Sequence, residues 1–164
     1  MEKKRLEADR QRDFLEPDDP GGKRAQPMKV FFDSSSFAKR YIREEGSDEV
    51  DAILLKASSL GLSVLCLPEV ISALSRKLRE SILNRDQYAL AKQALLADAG
   101  DADIVNVSPQ VVGQAIALLE KNSLRAMDAL HIGSAIAWKA QLFISSDKKQ
   151  LSAASESGLK TELI

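Results

Sequence analysis

An α/β/α sandwich around a mostly parallel sheet is the fold class this sequence predicts, and three observations predict it. Short apolar runs of strand length recur along the chain, at 30–32, 62–65, 104–107 and 142–145. Helix-length segments with apolar residues three and four apart separate each run from the next. The runs are mostly apolar, as suits strands covered on both faces. Parallel strands joined by right-handed helical crossovers satisfy all three.

Residues 1–27 stand apart. They are dominated by Lys, Arg, Glu and Asp and finish in Glu16-Pro17-Asp18-Asp19-Pro20-Gly21-Gly22. Such a segment buries too little apolar surface to offset its ordering entropy, so it reads as a disordered extension before a folded domain at 28–164. The alternative is a short helix over 4–15 that docks on a partner. From Met28 the elements follow in order. Val30-Phe31-Phe32 predicts a buried strand, followed by a helix over 35–43. Gly46-Ser47 breaks the chain and caps a second helix reaching about 59. The second strand is expected at 62–65, with Gly61 as its near boundary and Pro68 beyond. Pro68 suits the first turn of a helix carrying Ile71, Leu74 and Leu78. A helix over 85–99, ended by Gly100, leads to a strand at 104–107 and a helix at 109–121. A nearly all-apolar helix at 125–139 precedes the strand at 142–145, a helix to Gly158 and a short final strand at 161–164.

Composition bounds the function. The 164 residues are 45% hydrophobic and 29% charged, an ordinary balance for one domain with a real core. A net charge of −1 provides no global positive field, so nucleic-acid binding has to rest on a local patch. The single cysteine, Cys66, excludes an internal disulfide and thiolate metal clusters. The single histidine, His131, excludes the usual zinc hydrolase sets, which use two or three. No apolar run reaches bilayer length and the charged start lacks a signal-peptide core, so a cytoplasmic protein without a membrane partner is expected.

Sites in parallel sheets form outside the carboxyl ends of the strands. Asp33 follows the first strand directly, Glu69 lies just past the second, and Asp147 lies two residues past Ile144. The pattern therefore brings these three acids to one sheet edge. Asp128 sits in the apolar helix, where a carboxylate is costly unless paired or bound to a cation. Each acid also has an innocent reading. Asp33 and Asp147 could cap helices, Glu69 could complement a helix dipole, and Asp128 could pair with Arg125 or His131. Four acids without a clear basic partner at one edge point instead to a hard divalent ion, magnesium or manganese, which prefers oxygen ligands. Such an ion activates water for phosphodiester hydrolysis without histidine or cysteine.

Four segments resemble the motifs of the PIN domain, particularly the toxin component of VapBC-type toxin–antitoxin pairs. They are Val30 to Lys39 around Asp33-Ser34-Ser35-Ser36, Leu67-Pro68-Glu69-Val70-Ile71-Ser72-Ala73-Leu74, Asp128-Ala129-Leu130-His131 within 125–135, and Phe143-Ile144-Ser145-Ser146-Asp147-Lys148-Lys149-Gln150-Leu151. The resemblance spans about 28–163. It implies an α/β/α fold and a metal-dependent ribonuclease, a toxin neutralised by a cognate antitoxin protein. By the same resemblance Asp33 and Asp128 are the direct Mg2+ or Mn2+ ligands, Glu69 completes the acidic pocket, and Asp147 holds the ion or its waters. Ser145 stands where the family often has threonine, and Ser35 is placed to orient Asp33.

Other readings fit less well. A phosphate-accepting signalling domain wants an acidic pair after the first strand, and Asp33 has no acidic neighbour. An aspartate-nucleophile phosphatase wants a second Asp where Ser35 stands. A catalytically silent PIN-fold scaffold is the remaining alternative, although all four acids are present. His131 on an apolar helix and Trp138 read as structural residues, and Arg40, Arg43, Arg76, Lys77 and Arg79 as solvated helix faces. Apolar excess at Ile71, Leu74, Leu78, Leu90 and Leu95 suggests an interface, a homodimer or a complex with antitoxin.

Overall fold

Strand β1 (Lys29–Phe32) shows why the chain folds in layers. Val30, Phe31 and Phe32 are all fully buried, and pleating sends successive side chains to opposite faces. Val30 and Phe32 join a core with Phe37, Val50, Leu62, Leu74 and Leu95, whereas Phe31 joins a second core with Leu118, Ile132, Phe143 and Leu151. Three successive apolar residues in one strand need both cores, and so need helices on both faces. This is a computed structural model that describes residues 28–164. The expectation for 1–27 lies outside the described residues.

After β1 come α1 (Ser34–Ala38), α2 (Ser47–Lys56), β2 (Ser59–Ser63), α3 (Cys66–Arg79), α4 (Arg85–Asp101) and β3 (Asp103–Val105). Then follow α5 (Pro109–Lys121), α6 (Ala126–Trp138), β4 (Leu142–Ser145), α7 (Lys148–Glu156) and β5 (Lys160–Leu163). The strands lie in the order β3-β2-β1-β4-β5, and every pairing is parallel. The chain steps outward from β1 to β3, then crosses back to β4 on the other side of β1. That reversal leaves a crevice at the carboxyl ends of β1 and β4, where parallel sheets hold their sites. Residues of α1–α4 line the first core and residues of α5–α7 the second.

Beyond small shifts at the ends of α2 and β3, four departures from the sequence-based expectations have a physical cause. The first helix stops at Ala38, and the chain tightens into turns in which Lys39, Arg40 and Tyr41 bond three residues back. The second strand begins at Ser59, so Gly61 lies inside it rather than at its boundary. A Cβ on Gly61 would stand 2.6 Å from the Trp138 ring and 2.8 Å from the Phe31 ring, so glycine is there to let two aromatic side chains lie on the strand. Helix α4 runs through Gly100 to Asp101, because that glycine faces open space and nothing forces a break. Finally, Leu74 and Leu95 are fully buried in the chain's own core, since α3 and α4 fold against the same sheet face. They are unavailable to a partner, whereas Leu90 and Leu96 on α4 are 66% and 50% exposed.

Among the described residues no helix is long and apolar enough to cross a membrane. Arg40 is tied to Asp51 and Asp98, and Arg43 to Asp48, which accounts for two of the helix-face cations.

Candidate active site

Asp33 occupies the first position after β1 and is 5% exposed. It caps α1, Oδ1 accepting from Ser36 N at 2.8 Å and also from the Ser36 hydroxyl. Its Oδ2 accepts from Ser35 Oγ at 2.7 Å. The carboxylate is thus fixed by its own helix start before any other element contributes.

Asp147 caps α7, accepting from Lys149 N at 2.7 Å and Gln150 N at 3.3 Å. Its own N–H donates to Ser145 Oγ at 2.9 Å, and that oxygen lies 3.2 Å from Asp33 Oδ2. Asp33 and Asp147 are thus both helix caps at the carboxyl ends of β1 and β4, with Ser145 between them.

Asp128 stands in the first turn of α6. Its carboxyl is pushed above the usual range, first by burial and then by the negative charges of Asp147 and Asp33, against a hydrogen bond and the positive charge of Arg125. That mutual effect places Asp128 in the electrostatic company of the other two aspartates. Helix α6 is held close to α5 at Gly133, where a Cβ would come within 2.9 Å of the Val111 carbonyl oxygen.

Glu69 behaves differently. Its Oε2 accepts from the Ser34 hydroxyl and lies 2.7 Å from His131 Nε2. Burial alone would raise the Glu69 carboxyl, but the hydrogen bonds from His131 and Ser34 outweigh it and hold the group below its usual range. Glu69 has a basic partner at this sheet edge in His131, on the helix that carries Asp128. A carboxylate oxygen on Nε2 requires that nitrogen to carry the proton, and Nδ1 is buried without a partner among the described residues. His131 is 2% exposed and serves Glu69 rather than Asp128.

Cys66 opens α3 below this pair. Burial pushes its thiol up to about 12, so it stays protonated and inert. Trp138, partly buried, packs its ring 6.0 Å from that of Phe31, against the second core.

Three features were not foreseen. Gln150, fully buried, donates from Nε2 to the Asp128 carbonyl at 3.2 Å and accepts at Oε1 from Ser145 Oγ at 2.6 Å. Its signal in the sequence was its place on the apolar face of α7 with Leu151, Ala153 and Ala154. Ser34, read only as one of a run of hydroxyls, anchors Glu69. Arg125, Lys148 and Lys149 line a cleft of about 390 Å³ together with Asp128 and Asp147. These three cations outnumber the two carboxylates of the cleft.

Among the described residues no three Asp, Glu, His or Cys side chains close into a ligand set of their own. Magnesium rarely uses an all-protein cage and keeps several waters beside one or two carboxylates. The oxygen donors of Asp33, Asp128 and Asp147, with mutual repulsion to relieve, fit such a water-rich ion.

A parallel α/β domain with acids gathered at its topological switch point belongs to a recognisable class, the α/β folds that gather carboxylates where the strand order reverses. Within that class, the PIN domain family model matches residues 30–156, and the chain belongs to that family. Solved structures share the fold at low identity. VapBC2 from Rickettsia felis, bound to a DNA fragment from the VapBC2 promoter, aligns with a TM-score of 0.62 at 15% identity over 84% of this chain and 99% of its own. VapC20 of Mycobacterium tuberculosis, described as a Sarcin-Ricin loop cleaving toxin, gives 0.59 at 16% over 79% and 95%. A toxin–antitoxin complex from Klebsiella pneumoniae gives 0.58 at 15% over 75% and 90%. No curated protein sequence matches the chain.

Proposed function

We propose that this protein is a ribonuclease of the VapC toxin type, dependent on magnesium or manganese and neutralised by a cognate antitoxin in the cytoplasm. The observation that carries the reading is the linkage of the three aspartates: Ser145 Oγ stands between Asp33 and the N–H of Asp147, and Asp128 and Asp147 line one cleft. Asp33 and Asp128 would hold the ion, Asp147 would hold it or its waters, and Glu69 would complete the acidic wall. Ser35 orients Asp33 through its hydroxyl, and Ser145 accepts from the backbone N–H of Asp147. When bound, the ion polarises a phosphate oxygen and lowers the pKa of an attacking water. Arg125, Lys148 and Lys149 would meet the flanking phosphates of a single RNA strand in the adjoining cleft. The exposed apolar residues of α4 leave room for an antitoxin or a second copy of the chain.

Cleavage of total cellular RNA by purified, antitoxin-free protein tests the reading, with Mg2+ or Mn2+ added and chelator and Asp33→Asn as controls. Cleavage lost in both controls is expected. Inactivity of the parent protein across total RNA, with antitoxin shown to be absent, would transfer the case to a silent PIN scaffold that only binds.

A further inference from the structure

We propose that Gln150 is a positioning residue that keeps one lone pair of Asp33 free for the cation by drawing the Ser145 proton away from it. This rests on the metal-site reading above. A carboxylate offers about two acceptor positions on each oxygen. On Asp33, Oδ1 is filled by the N–H and the hydroxyl of Ser36, and Oδ2 holds the Ser35 hydroxyl. One position on Oδ2 remains, and Ser145 Oγ faces it at 3.2 Å.

Ser145 has one proton to give. Gln150 Oε1 stands 2.6 Å from Ser145 Oγ, inside the range of an O–H···O hydrogen bond, whereas 3.2 Å to Asp33 lies outside it. The orientation of the Gln150 amide is set independently, because the Asp128 carbonyl at 3.2 Å can only accept and so requires Nε2 on that side. Oε1 then faces Ser145 and takes its proton. The Asp147 N–H donates to Ser145 Oγ at 2.9 Å, so that oxygen turns a lone pair, not a proton, toward Asp33. Two oxygens, neither giving the other a hydrogen, line one spot. That is a place for a hard cation or one of its waters. Gln150, buried completely, thereby links β4, α6 and the cap of α7, which carry or adjoin three of the acids.

Without Gln150, the Ser145 proton turns to Asp33 and competes with the ion. The test is Mn2+ affinity of the full chain by calorimetry, in a double-mutant cycle of Gln150→Met and Ser145→Ala. Gln150→Met is expected to weaken Mn2+ binding about tenfold where Ser145 is present. In the Ser145→Ala background, with no proton to redirect, it should change binding less than about twofold. Gln150→Glu, which keeps the acceptor, should bind Mn2+ no more weakly than the parent and supplies the comparison if Gln150→Met does not fold. Equal losses from Gln150→Met in both backgrounds, or a Gln150→Glu loss as large as that of Gln150→Met, would overturn the proposal while leaving the metal site standing. Failure of the parent to bind Mn2+ would overturn the metal-site reading and this inference with it.

Discussion

The two ends of the sheet resolve charge in opposite ways. At the amino end, Lys29 N donates to Gln141 Oε1 at 2.8 Å, and Lys29 Nζ donates to the Trp138 carbonyl at 2.7 Å. The same ammonium stands 4.1 Å from the centre of the Trp138 ring, whose Nε1 donates to Asp103 at 3.1 Å. Lys29 and Asp103 are thus both tied to Trp138. At the carboxyl end, Asp128 is raised by burial and by the charges of Asp147 and Asp33, and the neighbouring cations line an open cleft instead of closing on the acids. One end ties its charges into the fold, while the other keeps unfavourable charge in place, as the proposed cation site requires. Stability and activity should therefore separate along the strands, and substitutions at the two ends can test that separation.

The largest effect is expected at Asp33. Asp33→Asn keeps an N-cap of equal quality, so the melting temperature should be unchanged or higher. RNA cleavage should fall by roughly a hundredfold or more, the scale on which a single electrostatic group in an active site acts. Circular dichroism melts and cleavage rates on the same preparation measure both, and a melting loss that matches the activity loss would merge the two ends. Gly61→Ala makes the converse test. The new methyl meets Trp138 and Phe31 at 2.6–2.8 Å, and overpacking of that kind costs about 3 kcal/mol, or roughly 10 °C in melting temperature. Cleavage per folded molecule, measured well below the new midpoint, should stay within about twofold of the parent.

Gly61 also shows where the sequence stops being legible. The core strands β1 and β4 and helix α5 were readable because their signals are local: apolar runs, a serine cap and a proline at the first helical position. A glycine beside a strand has two meanings, a turn or a close approach, and the deciding neighbour, Trp138, comes from a distant helix. The site divides along the same line. That Asp33 and Asp147 share an edge follows from strand ends alone. That Glu69 is engaged by His131 does not, because the two residues come from helices packed on opposite faces of the sheet and meet only across its edge. Gln150 was hidden for a related reason: a polar residue on an apolar helix face is visible in the periodicity, but its partners Ser145 and Asp128 are not.

Between the extremes lies His131→Leu. It removes the donor that helps hold Glu69 below its usual range, so the carboxyl should rise toward ordinary values and its ionised form lose support. A depressed carboxyl contributes stability above its unfolded-state pKa that is lost as pH falls through the folded-state value. The parent should therefore lose melting temperature as acid is added, and the variant should lose less over the same interval. Melts in chelator from neutral pH down through the carboxylate range measure the difference. Identical slopes would mean that the His131 contact does nothing for Glu69.

The smallest effect, and the most specific, concerns Asp128. Its carboxyl is raised, so the unfolded chain releases that proton more readily than the native one. The associated stability is fully present below the unfolded-state pKa and is lost as pH rises through the higher native value. At neutral pH the parent carries the whole penalty, and Asp128→Asn removes it. In chelator the variant should melt a few degrees above the parent at neutral pH, and the gap should close as pH falls below the ordinary Asp range. Added Mn2+ should reverse the order, because the parent gains binding free energy that the variant has given up. A variant less stable in chelator would show that Asp128 is held by partners rather than strained by neighbours. One that gains as much from Mn2+ as the parent would remove Asp128 from the ion's ligands. The reversal of sign between chelator and Mn2+ is an outcome that neither a capping role nor a packing role for this carboxylate can produce.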